Sequence, residues 1–345
     1  GTSSNDGKFL RANNGADPTF ESVNTRPGRN KIINGEFQVN QRNHSGSAGH
    51  NTYTLDRWKY GRSANTEFSQ TQSTDTPDGF TNSVKMDCIG ANGSTGAGDY
   101  AYWRYHIEGQ DLQDLKKGTS AAQPFTLSFY FKSDITGTFA ISIMDNNSRM
   151  CNANYTVSNT NWNRYEITIP ADTTGTIANN NAEGLEVRFY IIAGTNHTSG
   201  SAVHTWGAYS ASSIATGHNA NIVSTDHNLY LTGVQLELGS VATPFEHKSY
   251  TDYLRECERY YIKDSYGGIR SPIHGNGARI PLHVLPQAMR TTPSASASTF
   301  TEFSAGSSRS ISAFYLGGNK AGGYAQLTAS PGNGVYVYVT FDAEL

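Results

Sequence analysis

The sequence predicts an all-β protein: a large β-sandwich, then a short helix, then a smaller β-sandwich-like C-terminal domain. Three observations carry this. Only 16% of the 345 residues are charged, while glycine numbers 35 and tyrosine 20, a mixture that favours strands, turns and polar loops. Short β-branched and aromatic runs are separated by Gly, Asn and Ser clusters rather than by helix-length segments. Within those runs the apolar residues recur at every second position, the period of a strand with one buried face.

The length is enough for two domains, because single hydrophobic cores stop growing below this size. Residues 1 to 30 carry Gly7, Gly15, Pro18, Pro27 and Gly28 among polar residues, too little apolar material for a core, and are expected to form a connector or shaft segment. The first domain is expected over residues 31 to 248. Its clearest strand is Phe125, Leu127, Phe129 and Phe131 alternating with Thr126, Ser128, Tyr130 and Lys132, which predicts one core face and one wet face. The alternation returns in Phe139, Ile141 and Ile143, in Tyr165, Ile167 and Ile169, and in Leu185, Val187, Phe189 and Ile191. Strands of this kind in number make a sandwich.

Near residue 230 the parity changes. Leu229 and Leu231 hold one register and Val234, Leu236 and Leu238 the other, with Gly233 between them. A β-bulge at Gly233 restores a single apolar face. After Pro244 the period becomes helical: Tyr250, Tyr253, Leu254, Cys257 and Tyr261 share a stripe, and Ser249 with Asp252 forms a capping box. A helix is therefore expected over residues 249 to 261. Alternation at Ile280, Leu282 and Val284, and at Val335, Val337, Val339 and Phe341, places the second β domain over residues 262 to 345, the expected distal tip.

The formal net charge is −3 and the basic residues are scattered, so the electrostatic footprint of a nucleic-acid binder is missing. No apolar stretch approaches the roughly 20 residues that span a bilayer, and no signal segment opens the chain. The chain begins with Gly1 rather than Met, as a fragment or a processed product does. Cys88, Cys151 and Cys257 are odd in number and remote in spacing, which argues for buried thiols over a disulfide framework or zinc ribbon. The histidines His197, His204, His218 and His227 match no metal-ligand spacing, so no metal and no cofactor is expected.

Three segments, in order, resemble phage tail-fibre and related virion fibre proteins. Residues 7 to 20 (GKFLRANNGADPTF) are similar to a short connector of the form GxFLxxNGxxPxW, with Phe20 where Trp is commoner. Residues 30 to 42 (NKIINGEFQVNQR) with 53 to 58 (YTLDRW) resemble the opening of a carbohydrate-binding-module-like jelly roll. Residues 231 to 247 (LTGVQLELGSVATPFEH), running into CERYY at 257 to 261, resemble its last strand and the helix beyond. The resemblance implies a virion-attached, usually trimeric fibre with a jelly-roll domain, assembled in the host cytoplasm and joined to other virion proteins through its N-terminal segment. It covers residues 7 to 261 and supplies no binding or catalytic residue.

Candidate sites come from the residues themselves. In the aromatic run from Tyr100 to His106 a strand places Tyr102, Arg104 and His106 on one face, a sugar platform in one reading, while the other reading is a strand whose Trp103 face fills the core. Trp206 and Tyr209, expected exposed in the polar stretch from 194 to 228, are candidates for glycan or subunit contact. In the terminal domain Tyr266, His274, Asn276, Tyr315, Asn319 and Tyr324 are glycan candidates. Trimer contacts are expected from Phe9, Leu10 and Phe20 in the connector, and from Tyr250, Tyr253, Leu254, Cys257 and Tyr261 on the helix. A non-enzymatic tail fibre that adsorbs to a host glycan is the leading reading. Two rivals stay open, a purely structural head or collar fibre and a polysaccharide-degrading fibre enzyme, because the many carboxylates discriminate nothing and no nucleophile motif stands out.

Overall fold

The computed structural model describes residues 9–13, 16–21, 28–63, 67–90, 94–146, 148–201, 204–269, 279–282, 287–302, 311–316, 323–327 and 335–345. The chain divides into two compact units between Lys248 and Ser249.

The first unit opens on an antiparallel hairpin of β1 (Phe9–Asn13) and β2 (Ala16–Glu21), in which Leu10 stands opposite Phe20. The strands that follow are β3 (Ser45–Ser47), β4 (Thr52–Tyr53), β5 (Trp58–Arg62), β6 (Glu67–Ser73), β7 (Ser83–Gly90), β8 (Tyr100–Glu108) and β9 (Phe125–Ser133). Then come β10 (Gly137–Asp145), β11 (Arg149–Val157), β12 (Asn163–Ile169), β13 (Glu183–Ala193), a single turn α1 (Thr195–Thr198), β14 (Gly207–Ala208) and β15 (Asn228–Leu238). They form a seven-stranded sheet in the order β14-β11-β10-β13-β8-β5-β4 and a six-stranded sheet in the order β12-β9-β15-β7-β6-β3. Every pairing in both is antiparallel. The fold class is thus the all-β sandwich that the periodicity predicts.

One continuous core lies between the sheets. Trp58, Trp103, Tyr105, Phe129 and Phe189 are at most 1% exposed, and Phe129 meets Phe189 edge-on at 5.1 Å, a favoured aromatic geometry. The three cysteines are buried and form no disulfide. Gly233 has φ +61, and the β15–β9 register shifts between Thr232 and Gln235, so the bulge lies where the parity break puts it. The wet face expected on β9 is a different matter. Thr126 and Ser128 are 1% and 2% exposed, because the chain after β15 folds back across this face and the Thr126 hydroxyl donates to the Gly239 carbonyl at 2.8 Å.

The segment from Asn30 closes the sandwich against β15. Asn30 Oδ1 accepts from the Ile32 and Leu236 amides, at 2.9 and 3.0 Å. The Val234 amide donates to the Gly35 carbonyl at 2.9 Å. Asn34, wholly buried, brackets Val39 with both ends of its amide, and the Trp58 indole donates to the Asn34 carbonyl at 3.1 Å. At the mouth of this seam the Glu246 carboxylate accepts from the Gly28 amide at 2.5 Å and the Asn30 amide at 3.0 Å.

The second unit begins with α2 (Tyr250–Glu258), whose N-cap Ser249 accepts from the Asp252 amide. The helix is shorter than the expected 249 to 261, since Tyr261 already belongs to β16 (Tyr261–Ile269). Further strands are β17 (Arg279–Leu282), β18 (Ser294–Glu302), β19 (Ile311–Leu316), β20 (Gly323–Leu327) and β21 (Val335–Asp342). They make two antiparallel three-stranded sheets, β16-β21-β18 and β17-β20-β19. The helical stripe is not a free face awaiting other subunits. Tyr253, Cys257 and Tyr261 are 1%, 0% and 9% exposed in the single chain, Leu254 is half-buried, and Tyr250 alone of the five stands open.

Candidate functional site

Alternation along β8 and β13 turns Trp103, Tyr105, Val187 and Phe189 into the core and sends their neighbours to the outer face of the seven-stranded sheet. There the register sets Tyr102 opposite Tyr190, Arg104 opposite Arg188 and His106 opposite Glu186. This outer face is covered in part by residues 194–201 and 209–220. The Ala215 amide donates to the His197 carbonyl at 2.9 Å, and Ile214 and Ala215 pack on Tyr102, Ala140, Met144, Met150 and Tyr190.

Between the sheet and this covering segment lies a cavity of about 170 Å³, lined by Tyr100, Tyr102, Arg188, Tyr190, His197, Tyr209 and Ile214. Tyr100 and Tyr102 are stacked at 5.5 Å, His197 meets Tyr100 edge-on at 5.5 Å, and Tyr190 meets Tyr102 edge-on at 5.3 Å. The Arg188 guanidinium lies 4.7 Å from the Tyr102 ring centre, a cation–π distance. Tyr209 is 47% exposed at the rim. Burial pushes the Tyr102 phenol above its ordinary pKa against the pull of Arg188 and Arg104, so it stays a hydroxyl that donates and accepts.

Beside the cavity, Glu186 gathers charge. Its carboxylate takes Arg188 on both oxygens, and Arg104 Nη1 lies 3.6 Å away. Burial works to raise this carboxyl, but hydrogen bonding from His106 and Arg188 overcomes it and holds the group ionised, well below the usual carboxylate range. His106, Glu183 and Glu186 bring three potential metal-ligand atoms within 4.8 Å of one another. The two carboxylates approach opposite ring nitrogens, Glu183 at Nδ1 (3.3 Å) and Glu186 at Nε2 (3.5 Å), and two guanidiniums already share Glu186. A divalent cation there meets existing positive charge, so the group reads as an ion-pair network.

A second cavity, of about 310 Å³, is lined by Arg149, Pro170, Asp172, Thr173, Thr174, His204 and Trp206 among others. Behind it the buried Lys117 ammonium bridges Asp145 (2.5 Å) and Asp172 (2.7 Å). Arg149 adds a two-pronged bond to Asp172, at 2.8 and 2.9 Å. Burial raises the Asp172 carboxyl, yet Arg149, Lys117 and the Thr174 amide together hold it well below the carboxylate range.

The structure brings Tyr102 and Tyr209 together and separates the other sequence candidates. Tyr102, at 5% exposed, is a cavity wall and not an open platform; Arg104 and His106 belong to the ion network. Trp206 is half-buried, not exposed: its indole donates to the Pro170 carbonyl at 2.7 Å, Lys117 lies 4.5 Å from its ring centre, and it packs against the core. Tyr266, Tyr315 and Tyr324 lie on β16, β19 and β20, with Tyr315 opposite Tyr324, and their side chains lie outside the described residues. So do His274, Asn276 and Asn319, and the side chains of Phe9 and Phe20. Arg188, Tyr190 and His197 did not stand out in the sequence. The first two were legible as the outward parity of the Leu185–Ile191 run; His197 was weighed in the sequence only as one of four histidines without a metal-ligand spacing.

No family model matches the chain, and no curated protein matches it. Among solved structures, the enzymatically active domain of tailspike protein 4 from bacteriophage CBA120 is similar at TM-score 0.34 and 13% identity over 62% of this chain. The chain spans only 22% of that domain. TmCBM61, solved with β-1,4-galactotriose, is similar at TM-score 0.31 and 8% identity, over 61% of this chain and 99% of that one. A family 11 carbohydrate-binding module from Clostridium thermocellum, solved with a mixed-linked tetrasaccharide, gives 0.29 and 12%, over 58% and 98%. These likenesses are loose and locate no site residue; the class the sheets themselves define is an antiparallel two-sheet β-sandwich.

Proposed function

We propose that the chain is a non-enzymatic bacteriophage fibre protein, part of the virion, which adsorbs to a host-surface glycan through the cavity on the outer face of its seven-stranded sheet. The observation that carries the glycan reading is the convergence of four tyrosines, Arg188 and His197 on one cavity of about 170 Å³. Aromatic rings pack on the apolar face of a pyranose, while phenol, guanidinium and imidazole groups exchange hydrogen bonds with its hydroxyls. Tyr209 at the open rim is the first ring a sugar meets.

The fibre reading rests on the three segments that resemble virion fibres, and two of those segments form the seam that closes the sandwich. The non-enzymatic reading is supported by the carboxylates. Glycoside hydrolysis needs one carboxyl protonated and a second free to act as base or nucleophile, whereas Asp145 and Asp172 share one buried ammonium and Glu186 is held ionised by its partners. A homotrimer gathered around the N-terminal hairpin fits the same reading, since Leu10 is 61% exposed there.

Labelled protein is expected to bind susceptible cells and to release no reducing ends from their polysaccharide. Tyr209→Ala and Tyr100→Ala are each expected to weaken cell binding at least tenfold without unfolding the chain. Full binding by both variants rules out the cavity as the receptor site.

A further inference from the structure

Three cations stand abreast on the outer face of the seven-stranded sheet. The registers set Lys59 of β5 opposite Arg104 of β8, and Arg104 opposite Arg188 of β13; Arg188, the last of the row, lines the tyrosine cavity. Like charges directly opposite one another weaken a sheet, and the chain as a whole is acidic, with a formal net charge of −3. Places where a fold breaks such a local rule are commonly functional or strained.

The two arginines share one acid. Arg188 takes both oxygens of Glu186, Arg104 Nη1 lies 3.6 Å from the same carboxylate, and His106 Nε2 lies 3.5 Å from it. Arg104 Nη2 donates to a neutral oxygen, Asn51 Oδ1 at 2.5 Å, and Arg188 lies over the neutral Tyr102 ring at 4.7 Å. The excess positive charge is felt on two sides of the cavity. At the Tyr102 phenol, whose pKa burial raises, Arg188 and Arg104 each act more strongly than Glu186. His50 meets the cavity's Tyr100 edge-on at 6.0 Å; burial leads in lowering its pKa, and Arg104, Arg188 and Lys59 all add to the fall.

Arg188 can serve a second acid. A guanidinium carries five N–H donors, of which Glu186 engages those on Nε and Nη2. The cavity volume of about 170 Å³ is below the range, about 300 Å³ and upward, that holds a drug-sized ligand. It suits one sugar residue, so the anionic group belongs to the residue that enters.

We infer that the sugar entering this cavity is acidic, a uronic or sialic acid whose carboxylate pairs with Arg188 in the field of Arg104 and Lys59. This rests on the glycan reading above and adds the charge class of the ligand and the residues that select it.

The test is titration calorimetry of the full chain with glycosides of glucuronic, galacturonic and sialic acid, beside their methyl esters, which are the same sugars without the charge, and beside sulfated and phosphorylated hexoses. At least one acid is expected to bind at least tenfold more tightly than its ester at about 50 mM salt, with the margin shrinking at about 500 mM as screening grows. Lys59→Gln and Arg104→Gln, each checked for folding by circular dichroism, are each expected to narrow the acid-to-ester ratio at least threefold. Equal binding of acid and ester, a margin indifferent to salt, or a ratio unchanged in both variants overturns the acidic-sugar inference while leaving the glycan reading standing. Tighter binding of the sulfated or phosphorylated hexoses than of every acid rejects the carboxylate. Binding of no sugar in any form overturns both.

Discussion

The Lys117 ammonium stands 2.7 Å from an Asp172 carboxylate oxygen, and each of these side chains is only 3% exposed. A buried ion pair adds little net stability when complete, but removing one partner strands the other charge in a poorly solvated place. Lys117→Met therefore leaves Asp145 and Asp172 facing each other without their shared cation. The expected loss is about 3–5 kcal/mol by denaturant unfolding, with Asp172→Asn less severe because Asp145 still balances the lysine. A Lys117→Met variant within 1 kcal/mol of the parent contradicts this account, on a scale where surface changes move stability by about 0.5 kcal/mol.

Gly233 carries the bulge that lets β15 keep one apolar face. Its φ of +61 is costly for any residue with a Cβ, and an added Cβ meets the rings of Phe80 at 2.8 Å and Tyr130 at 2.9 Å. Gly233→Ala is expected to cost about 2–4 kcal/mol, summing left-handed strain and overpacking. The same change at Gly79, whose Cβ meets nothing, isolates the strain alone and is the comparison to measure.

His218 gives the sandwich a pH dependence of definite sign. Burial is the main cause that brings its pKa down to about 4, and its Nδ1 accepts from the Ala140 amide at 3.2 Å. The unfolded chain takes up the proton near pH 6.5 and the folded chain only near 4, so stability is complete above pH 6.5 and falls as pH drops toward 4. The loss is on the order of 3 kcal/mol, and His218→Gln should flatten the slope in this window relative to the parent. Depressed carboxyls such as Asp172 and Glu186 act only at lower pH, below about 4, where the unfolded carboxyls protonate.

The thiols should be silent in the native protein. Burial pushes Cys151 up to about 12 and Cys88 above its ordinary value, and Cys257 is fully buried; the reactive species is the thiolate. At pH 8, Ellman's reagent is expected to titrate none of the three until denaturant is added. Prompt modification of even one thiol in native protein would sink this.

Mass in solution decides the assembly. The chain is expected to be a trimer at micromolar concentration, and Leu10→Asp is expected to shift it to monomer without changing the sandwich's unfolding midpoint. A monomeric parent rejects the proposed trimer.

What was legible in the sequence is what local rules decide. The period-2 runs became strands, the parity break at Gly233 became a bulge, and Ser249 with Asp252 became a helix cap, because each depends on neighbours a few residues away. Trp206 was misjudged because its partners, Pro170 and Lys117, are supplied by distant parts of the chain. The face of β9 was misjudged for the same reason: Gly239 returns across Thr126, over a hundred residues later. The cavity was half legible, since parity puts Tyr102 and Tyr190 on outward faces, while only the register of β8 with β13 sets them opposite one another.

The bond between the Gly28 amide and the Glu246 carboxylate has one more consequence. It holds the strand of chain entering the sandwich beside the strand leaving it, so everything between is a loop out of a nearly fixed doorway. A unit with adjoining entrance and exit is an exchangeable cassette. Recombination can replace it whole while the flanking sequence keeps its own geometry.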